Sequence, residues 1–140
     1  AFVWTGVTVF LPLINNQYSL DYNVVITGIQ RFIFIIVLML PFEIRDMQYD
    51  SLKLGTIPQK IGVKRAKIVG VLLLFAFFCL EFFKSNATCY SLITLGVLVW
   101  ITMVSLAYSK KEQGAYYSSF VVEGLPIVWF GVLMFFNYFN

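Results

Sequence analysis

The chain has 140 residues, of which 60% are hydrophobic and only 12% are charged, and it contains no histidine. A soluble domain of this size carries roughly twice that share of charged residues, so the composition argues against a soluble helical bundle and predicts an integral membrane protein. The net charge of +3 is too small and too localised to indicate nucleic-acid binding.

The first apolar segment, residues 1–14, is too short to cross a bilayer core of ~30 Å, which needs about 20 helical residues. It also lacks the basic leader of a signal peptide. We interpret it as the end of a helix that starts earlier. Residues 1–140 are therefore expected to form a single transmembrane domain, the C-terminal half of a larger intramembrane domain.

Four later apolar segments are predicted to be complete membrane-spanning helices. None of them shows the polar face of a helix on the surface of a soluble bundle. The fold class predicted is thus an all-α membrane bundle of four complete spans plus the end of a fifth, the four being residues 23–42, 66–83, 89–108 and 118–136.

Basic residues predict the orientation of these spans. The loops at 43–65 and 109–117 lie on one side of the membrane because two spans separate them, and Lys84 is the basic residue of the opposite side. Cytoplasmic loops carry an excess of Lys and Arg. We therefore expect a multi-pass protein of the bacterial inner membrane with both loops cytoplasmic, on the strength of eight residues in or beside them: Arg45, Lys53, Lys60, Lys64, Arg65, Lys67, Lys110 and Lys111.

An acidic cluster follows the segment 23–42. At about 100° per helical residue, Asp46 lies about 60° from Glu43 and Asp50 about 20° from it, whereas Arg45 is expected on the other side of the helix. Three carboxylates on one face repel each other unless a cation binds them. Oxygen ligands of this kind suit Mg²⁺, which often bridges to a substrate phosphate. A solvated helix end is the alternative explanation.

Basic residues follow the acids directly. Lys53 and Lys60 could balance the charge of a bound phosphate, or they could only set the topology and contact anionic lipid. Arg31 lies near the middle of the span 23–42. We expect it to extend toward the interface or to pair with an acid such as Glu81.

The pattern of Glu43, Asp46 and Asp50, followed by Gly-Thr-Ile-Pro at residues 55–58 and by Gly62, resembles the second aspartate-rich motif of the UbiA prenyltransferase superfamily. Members of that family are intramembrane helical enzymes. They transfer a prenyl chain from an isoprenyl diphosphate to an acceptor, often an aromatic one, and two aspartate-rich motifs hold Mg²⁺ and the diphosphate.

The resemblance implies roles for five residues. Glu43, Asp46 and Asp50 would bind Mg²⁺, and Lys53 and Lys60 would contact the diphosphate. Glu43 stands where the family usually has Asp, and these 140 residues contain no first aspartate-rich motif. This stretch alone is therefore expected to be inactive, and the full-length protein to be the Mg²⁺-dependent enzyme. The alternative is a non-catalytic or degenerate multi-spanning membrane protein, either transporter-like or a scaffold.

Overall fold

The computed structural model describes residues 1–15, 19–47, 55–85 and 88–110, with six further residues between positions 124 and 134. Within this part of the chain every regular element is a helix, as the sequence predicts. We number five helices: α1 (Phe2–Asn15), α2 (Tyr22–Asp46), α3 (Ile57–Ile61), α4 (Val63–Glu81) and α5 (Cys89–Tyr108).

The helix boundaries follow local chemistry. Helix α5 begins after Thr88, whose hydroxyl accepts a hydrogen bond from the backbone N–H of Ser91 at 3.3 Å, while the Ser91 hydroxyl oxygen accepts one from the backbone N–H of Thr88 at 3.2 Å. This reciprocal pair satisfies two donors at the start of the helix. Gly62 separates α3 from α4 with a φ of 83°, a backbone conformation that glycine adopts without strain.

Two helices, α2 with 25 residues and α5 with 20 residues, are long and apolar enough to cross a membrane. Helix α4 has 19 residues, but it contains four charged residues, Lys64, Arg65, Lys67 and Glu81, and it is not among the helices with the composition of a membrane span. The predicted span 118–136 lies mostly outside the described residues. Two of the four predicted spans therefore have the length and composition of a membrane-crossing helix.

The core lies where α4 packs against both α2 and α5. It is built of two apolar clusters, one toward each end of the helices, and Phe34 and Phe77 stack within the first at 5.5 Å between ring centroids. If these helices cross a membrane, close van der Waals packing of these side chains holds them together, because lipid tails are as apolar as the side chains themselves. The clusters are Phe34, Leu38, Phe77, Leu95 and Leu98, and Val37, Leu40, Ile44, Leu74 and Leu106.

Gly70 lets α4 approach both of its neighbours. A Cβ atom added there would lie 2.5 Å from Leu106 Cδ2 on α5 and 2.8 Å from Leu40 Cδ1 on α2. Both distances are shorter than a carbon–carbon contact of about 3.5–4.0 Å. A side chain at position 70 would therefore have to displace leucines on two helices.

A polar contact joins α4 to the end of α5. The Lys67 ammonium donates hydrogen bonds to the carbonyl oxygens of Ala107 at 2.7 Å and Ser109 at 2.6 Å. Carbonyls at the end of a helix have no partner within the helix, and a cation there is favourable. Lys67 thus fixes the start of α4 against the end of α5.

We predict that Gly70→Ala lowers the unfolding free energy relative to Gly96→Ala by about 1–2 kcal/mol. Both changes gain helix propensity, worth up to about 1 kcal/mol, but only the first overpacks a core. At Gly96 the nearest atom to an added Cβ is Phe78 Cε2 at 3.9 Å, an ordinary contact. Thermal unfolding of both variants in detergent tests this, and equal melting temperatures would contradict the close packing at Gly70.

Candidate functional site

Glu43 and Asp46 lie in the last turn of α2, next to the short helix α3. Their spacing of three residues leaves them about 60° apart around the helix axis, as the sequence predicts. Helix α2 ends at Asp46. The predicted alignment of Asp50 with Glu43 on one helix face therefore cannot be derived from α2. Asp50 itself lies outside the described residues.

Glu43 is half-buried against the loop that leads into α3. The backbone N–H of Ile57 donates toward its carboxylate. The carboxylate atom Oε2 is inaccessible to solvent and has no hydrogen-bond partner among the described residues. Glu43 follows the apolar segment 23–42, and burial raises the pKa of its carboxyl, with the N–H of Ile57 acting in the opposite direction.

Thr56, next to Ile57, provides a second buried oxygen. Its hydroxyl oxygen is inaccessible and has no hydrogen bond of good geometry within the described part of the chain. It faces the backbone N–H of Gln59 in a capping box, in which the backbone N–H of Thr56 donates to Gln59 Oε1 at 3.2 Å. A buried polar atom without a partner costs about 1–3 kcal/mol. Two such oxygens, one on each side of the contact between α2 and α3, are the donor type that a hard cation such as Mg²⁺ binds.

The surroundings of Asp46 differ from the sequence prediction in one respect. Arg45 was predicted to point away from the acids, but its Nε lies 2.8 Å from Asp46 Oδ1. That expectation was wrong because a long Arg side chain can reach across the 100° between adjacent helical positions. The side chains of Asp46 and Arg45 are 42% and 22% exposed, so this pair contributes at most about 1 kcal/mol and a metal ion could displace it.

The basic residues of the candidate site are only partly described. Lys60 is exposed near the end of α3, and its Cε would lie 3.2 Å from a Cβ atom added to Gly55. Its ammonium nitrogen therefore lies near the turn that carries Thr56, 3.8 Å from the same position. Lys53 lies outside the described residues.

The donor set that the structure describes is Glu43, Asp46 and the Thr56 hydroxyl. Across the described ranges, no group of three or more His, Cys, Asp or Glu side chains lies together, and the third predicted ligand, Asp50, falls in the gap at 48–54. The two buried oxygens without partners fit a bound cation. Residue spacing does not point to Thr56, although this residue stands within the Gly-Thr-Ile-Pro stretch that carries the family resemblance.

Comparison with known proteins gives no relative for this chain. No protein-family model, no curated protein and no solved structure matches it.

We predict that Gly55 determines the backbone conformation of the turn that carries Thr56. Its φ of 61° costs about 1–2 kcal/mol for a residue with a side chain, and an added methyl group would press on Lys60. We expect Gly55→Ala to lower the unfolding free energy by about that amount, as measured by thermal unfolding. Gly6→Ala is the control, because nothing lies within 4 Å of a Cβ there; equal losses in both variants would contradict this role of Gly55.

Proposed function

We propose that this chain contributes the second acidic motif of an intramembrane prenyltransferase. The enzyme would transfer an isoprenyl chain from an isoprenyl diphosphate to an aromatic or lipophilic acceptor. The supporting observation is that Glu43 meets the Gly-Thr-Ile-Pro turn through Ile57. The two halves of the motif, which are separated in sequence, come together and leave two buried oxygens without partners.

In this proposal Glu43, Asp46 and Asp50 would hold Mg²⁺, with the Thr56 hydroxyl as a further ligand. When bound, Mg²⁺ would neutralise the diphosphate and make it a better leaving group. Glu43 is already oriented by the N–H of Ile57, so little ordering would be needed to bind the metal. Asp46 would exchange Arg45 for the metal.

The basic side chains would act on the diphosphate itself. Lys60 is exposed and has a flexible stem, so its ammonium can approach a diphosphate held by the acids. Lys53 would act in the same way. Once Asp46 binds metal, the Arg45 guanidinium, which lies 5.8 Å from the centroid of the Phe42 ring, would remain beside the site, where its planar fork suits phosphate oxygens.

We further propose that the chain is a multi-pass protein of the bacterial inner membrane, with loops 43–65 and 109–117 in the cytoplasm. Many large apolar side chains are exposed on the long helices, as expected where helices face lipid. Trp100 is 65% exposed, Phe75 67% and Ile68 60%. The acidic motif would then lie at the cytoplasmic edge of the membrane.

The orientation predicts the outcome of cysteine labelling in intact cells. In a background with Cys79 and Cys89 changed to Ala, a membrane-impermeant maleimide should label Ser85→Cys and should not label Ser51→Cys. Ser85 is exposed beside Lys84. Permeabilised cells provide the control, because both positions should then react. Labelling of Ser51→Cys from outside would reject the orientation.

The activity prediction concerns the full-length protein. Asp46→Asn and Asp50→Asn should each reduce Mg²⁺-dependent prenyl transfer by more than 100-fold, because Asn keeps the shape of the side chain and removes the charge that binds the metal. The measurement is product formation from a radiolabelled isoprenyl diphosphate in membranes, with and without Mg²⁺. Glu43→Gln should have a smaller effect, since Glu departs from the family pattern.

Asp21→Asn is the matched control for this experiment. Asp21 precedes the first residue of α2, at the opposite end from the acidic motif, and accepts a hydrogen bond from Asn23 at 3.2 Å. It should retain full activity. Normal turnover in both Asp46→Asn and Asp50→Asn would reject the assignment of these carboxylates.

The second candidate is a non-catalytic member, either transporter-like or a scaffold. The observation that favours it is the ion pair between Asp46 and Arg45, which gives one of the acids a partner without any metal. This candidate predicts no turnover by the wild-type full-length protein with any acceptor tested. It also predicts that Asp46→Asn changes stability by no more than about 1 kcal/mol.

A further inference from the structure

An apolar groove runs between α4 and α5 near the start of α4, where the basic residues of this helix lie. Its volume is about 400 Å³. An apolar cavity of about 150 Å³ can hold a benzene molecule, so this groove has room for several methylene groups. The lining residues are Ile68, Val71 and Leu72 of α4, Met103, Leu106 and Ala107 of α5, and Lys67.

The groove opens on the outer surface of the helices. Ile68, Leu72 and Met103 are exposed along it, whereas Leu106 is buried and belongs to the core. An exposed apolar surface of this kind marks a contact with a partner or with a membrane. Because α5 has the length and composition of a membrane-crossing helix, the groove suits a hydrocarbon chain of the surrounding lipid.

Lys67 closes one end of the groove at the depth of a membrane interface. Its ammonium donates to the carbonyl oxygens of Ala107 and Ser109, so it lies level with the end of α5. Tyr108, between these two residues, is exposed, and Tyr residues are enriched where helices leave a membrane. An ammonium has three protons. One proton of Lys67 therefore remains for a ligand at the depth of lipid headgroups.

Lys64 provides a second cation one turn earlier on the same face of α4. At about 100° per residue, it lies about 60° from Lys67 and about 20° from Val71 around the helix axis. Lys64 is exposed, and it makes no hydrogen bond or ion pair with the residues that the structure describes. Its ammonium is thus available above the groove.

The placement of these charges does not stabilise the helix itself. The first turn of α4 contains basic residues and no acid, although the positive end of the helix dipole favours an acid there. Like charges three residues apart, as in Lys64 and Lys67, also destabilise a helix. Lys110 is close enough to Lys67 for their positive charges to repel. A bound anion would compensate all of these costs.

We propose that the groove binds one anionic phospholipid, with the upper part of an acyl chain between α4 and α5 and the phosphate held by Lys64 and Lys67. From Lys67 to Leu72 the groove extends about 7.5 Å along α4, at 1.5 Å per residue, so the rest of the chain would lie in the bilayer. Lysines near a membrane surface attract anionic headgroups. The site needs the helices to lie in a membrane, but it is independent of the proposed prenyl transfer.

Native mass spectrometry of the purified full-length protein tests this proposal. Phosphatidylglycerol and phosphatidylcholine with the same acyl chains are added in equal amounts to delipidated protein in an uncharged detergent. EDTA keeps metal off the acidic motif, so that no phosphate binds there through Mg²⁺. Phosphatidylglycerol should be retained at least about fivefold more strongly, the factor expected for one lysine near an anionic headgroup. Equal retention of the two lipids would overturn the proposal.

The headgroup contact is located by Lys64→Gln, which should weaken phosphatidylglycerol retention by about fivefold. Because Lys64 is exposed and unpaired among the described residues, this variant should fold normally. Arg65→Gln is the matched control. It removes the same charge from the next residue, which is also exposed but lies about 160° from Lys67 around the helix axis, and it should retain the lipid like the wild type. Equal losses in both variants would show a diffuse attraction and reject the site.

The acyl-chain contact is tested by Val71→Trp, which fills the groove without changing any charge. It should weaken phosphatidylglycerol retention by at least about fivefold. Val97→Trp is the control, because Val97 on α5 is exposed to the same extent as Val71, 41%, but does not line the groove. Retention at the wild-type level in Val71→Trp would mean that the lipid lies elsewhere, and would overturn the proposal.

Discussion

The close approach of α4 to α2 and α5 at Gly70 is the contact on which both polar regions depend. The absence of a side chain there lets Leu40 and Leu106 meet the same turn of α4. Because the helices are held this closely, Gln30 can reach the carbonyl oxygen of Phe77 and the carboxylate of Glu81. The same packing fixes the end of α2, and hence Glu43, against the turn that begins α3. A change in the distance between α2 and α4 would therefore alter both polar regions together.

Buried polar groups differ in their hydrogen-bond partners between the two ends of the contact between α2 and α4. Glu81 has two partners within 3.0 Å, so its burial is compensated by the protein itself. Glu43 Oε2 and Thr56 Oγ1 have none among the described residues. Buried polar atoms in folded proteins are nearly always paired. Thr56 also begins α3 in a capping box with Gln59, so Glu43 Oε2 is the atom for which the proposed Mg²⁺ would supply a partner that the described residues do not.

Helix type and position could be predicted from the sequence because they depend on local composition. Long apolar runs predicted α2 and α5, and the reciprocal bonding of Thr88 and Ser91 begins α5 at the expected residue. The boundaries of α4 were less predictable. Val63–Glu81 begins three residues earlier than expected, because Gly62, rather than the end of the charged stretch, determines where the helix starts.

The site could be predicted only in part, because residue spacing does not determine how far a side chain reaches or which distant residues it contacts. The spacing of Glu43 and Asp46 correctly placed both near the end of one helix. It did not reveal that Arg45 turns back to Asp46, nor that Ile57 meets Glu43. Arg31 and Glu81 were suspected partners, and they do line one cavity, but Lys84 and Gln30 hold the carboxylate. Partners such as these depend on how α4 lies against α2.

Topology alone does not explain the charges at the two ends of α2. The positive-inside rule concerns loops, and it accounts for basic residues on one side of a membrane. It does not account for Glu43 and Asp46 at one end of α2, nor for Arg31, Glu81 and Lys84 lining one pocket at the other end. Burying a charge is costly unless it is paired. The protein itself supplies the partners at Glu81, through Lys84 and Gln30, whereas in the proposed function Mg²⁺ would supply the partner at Glu43.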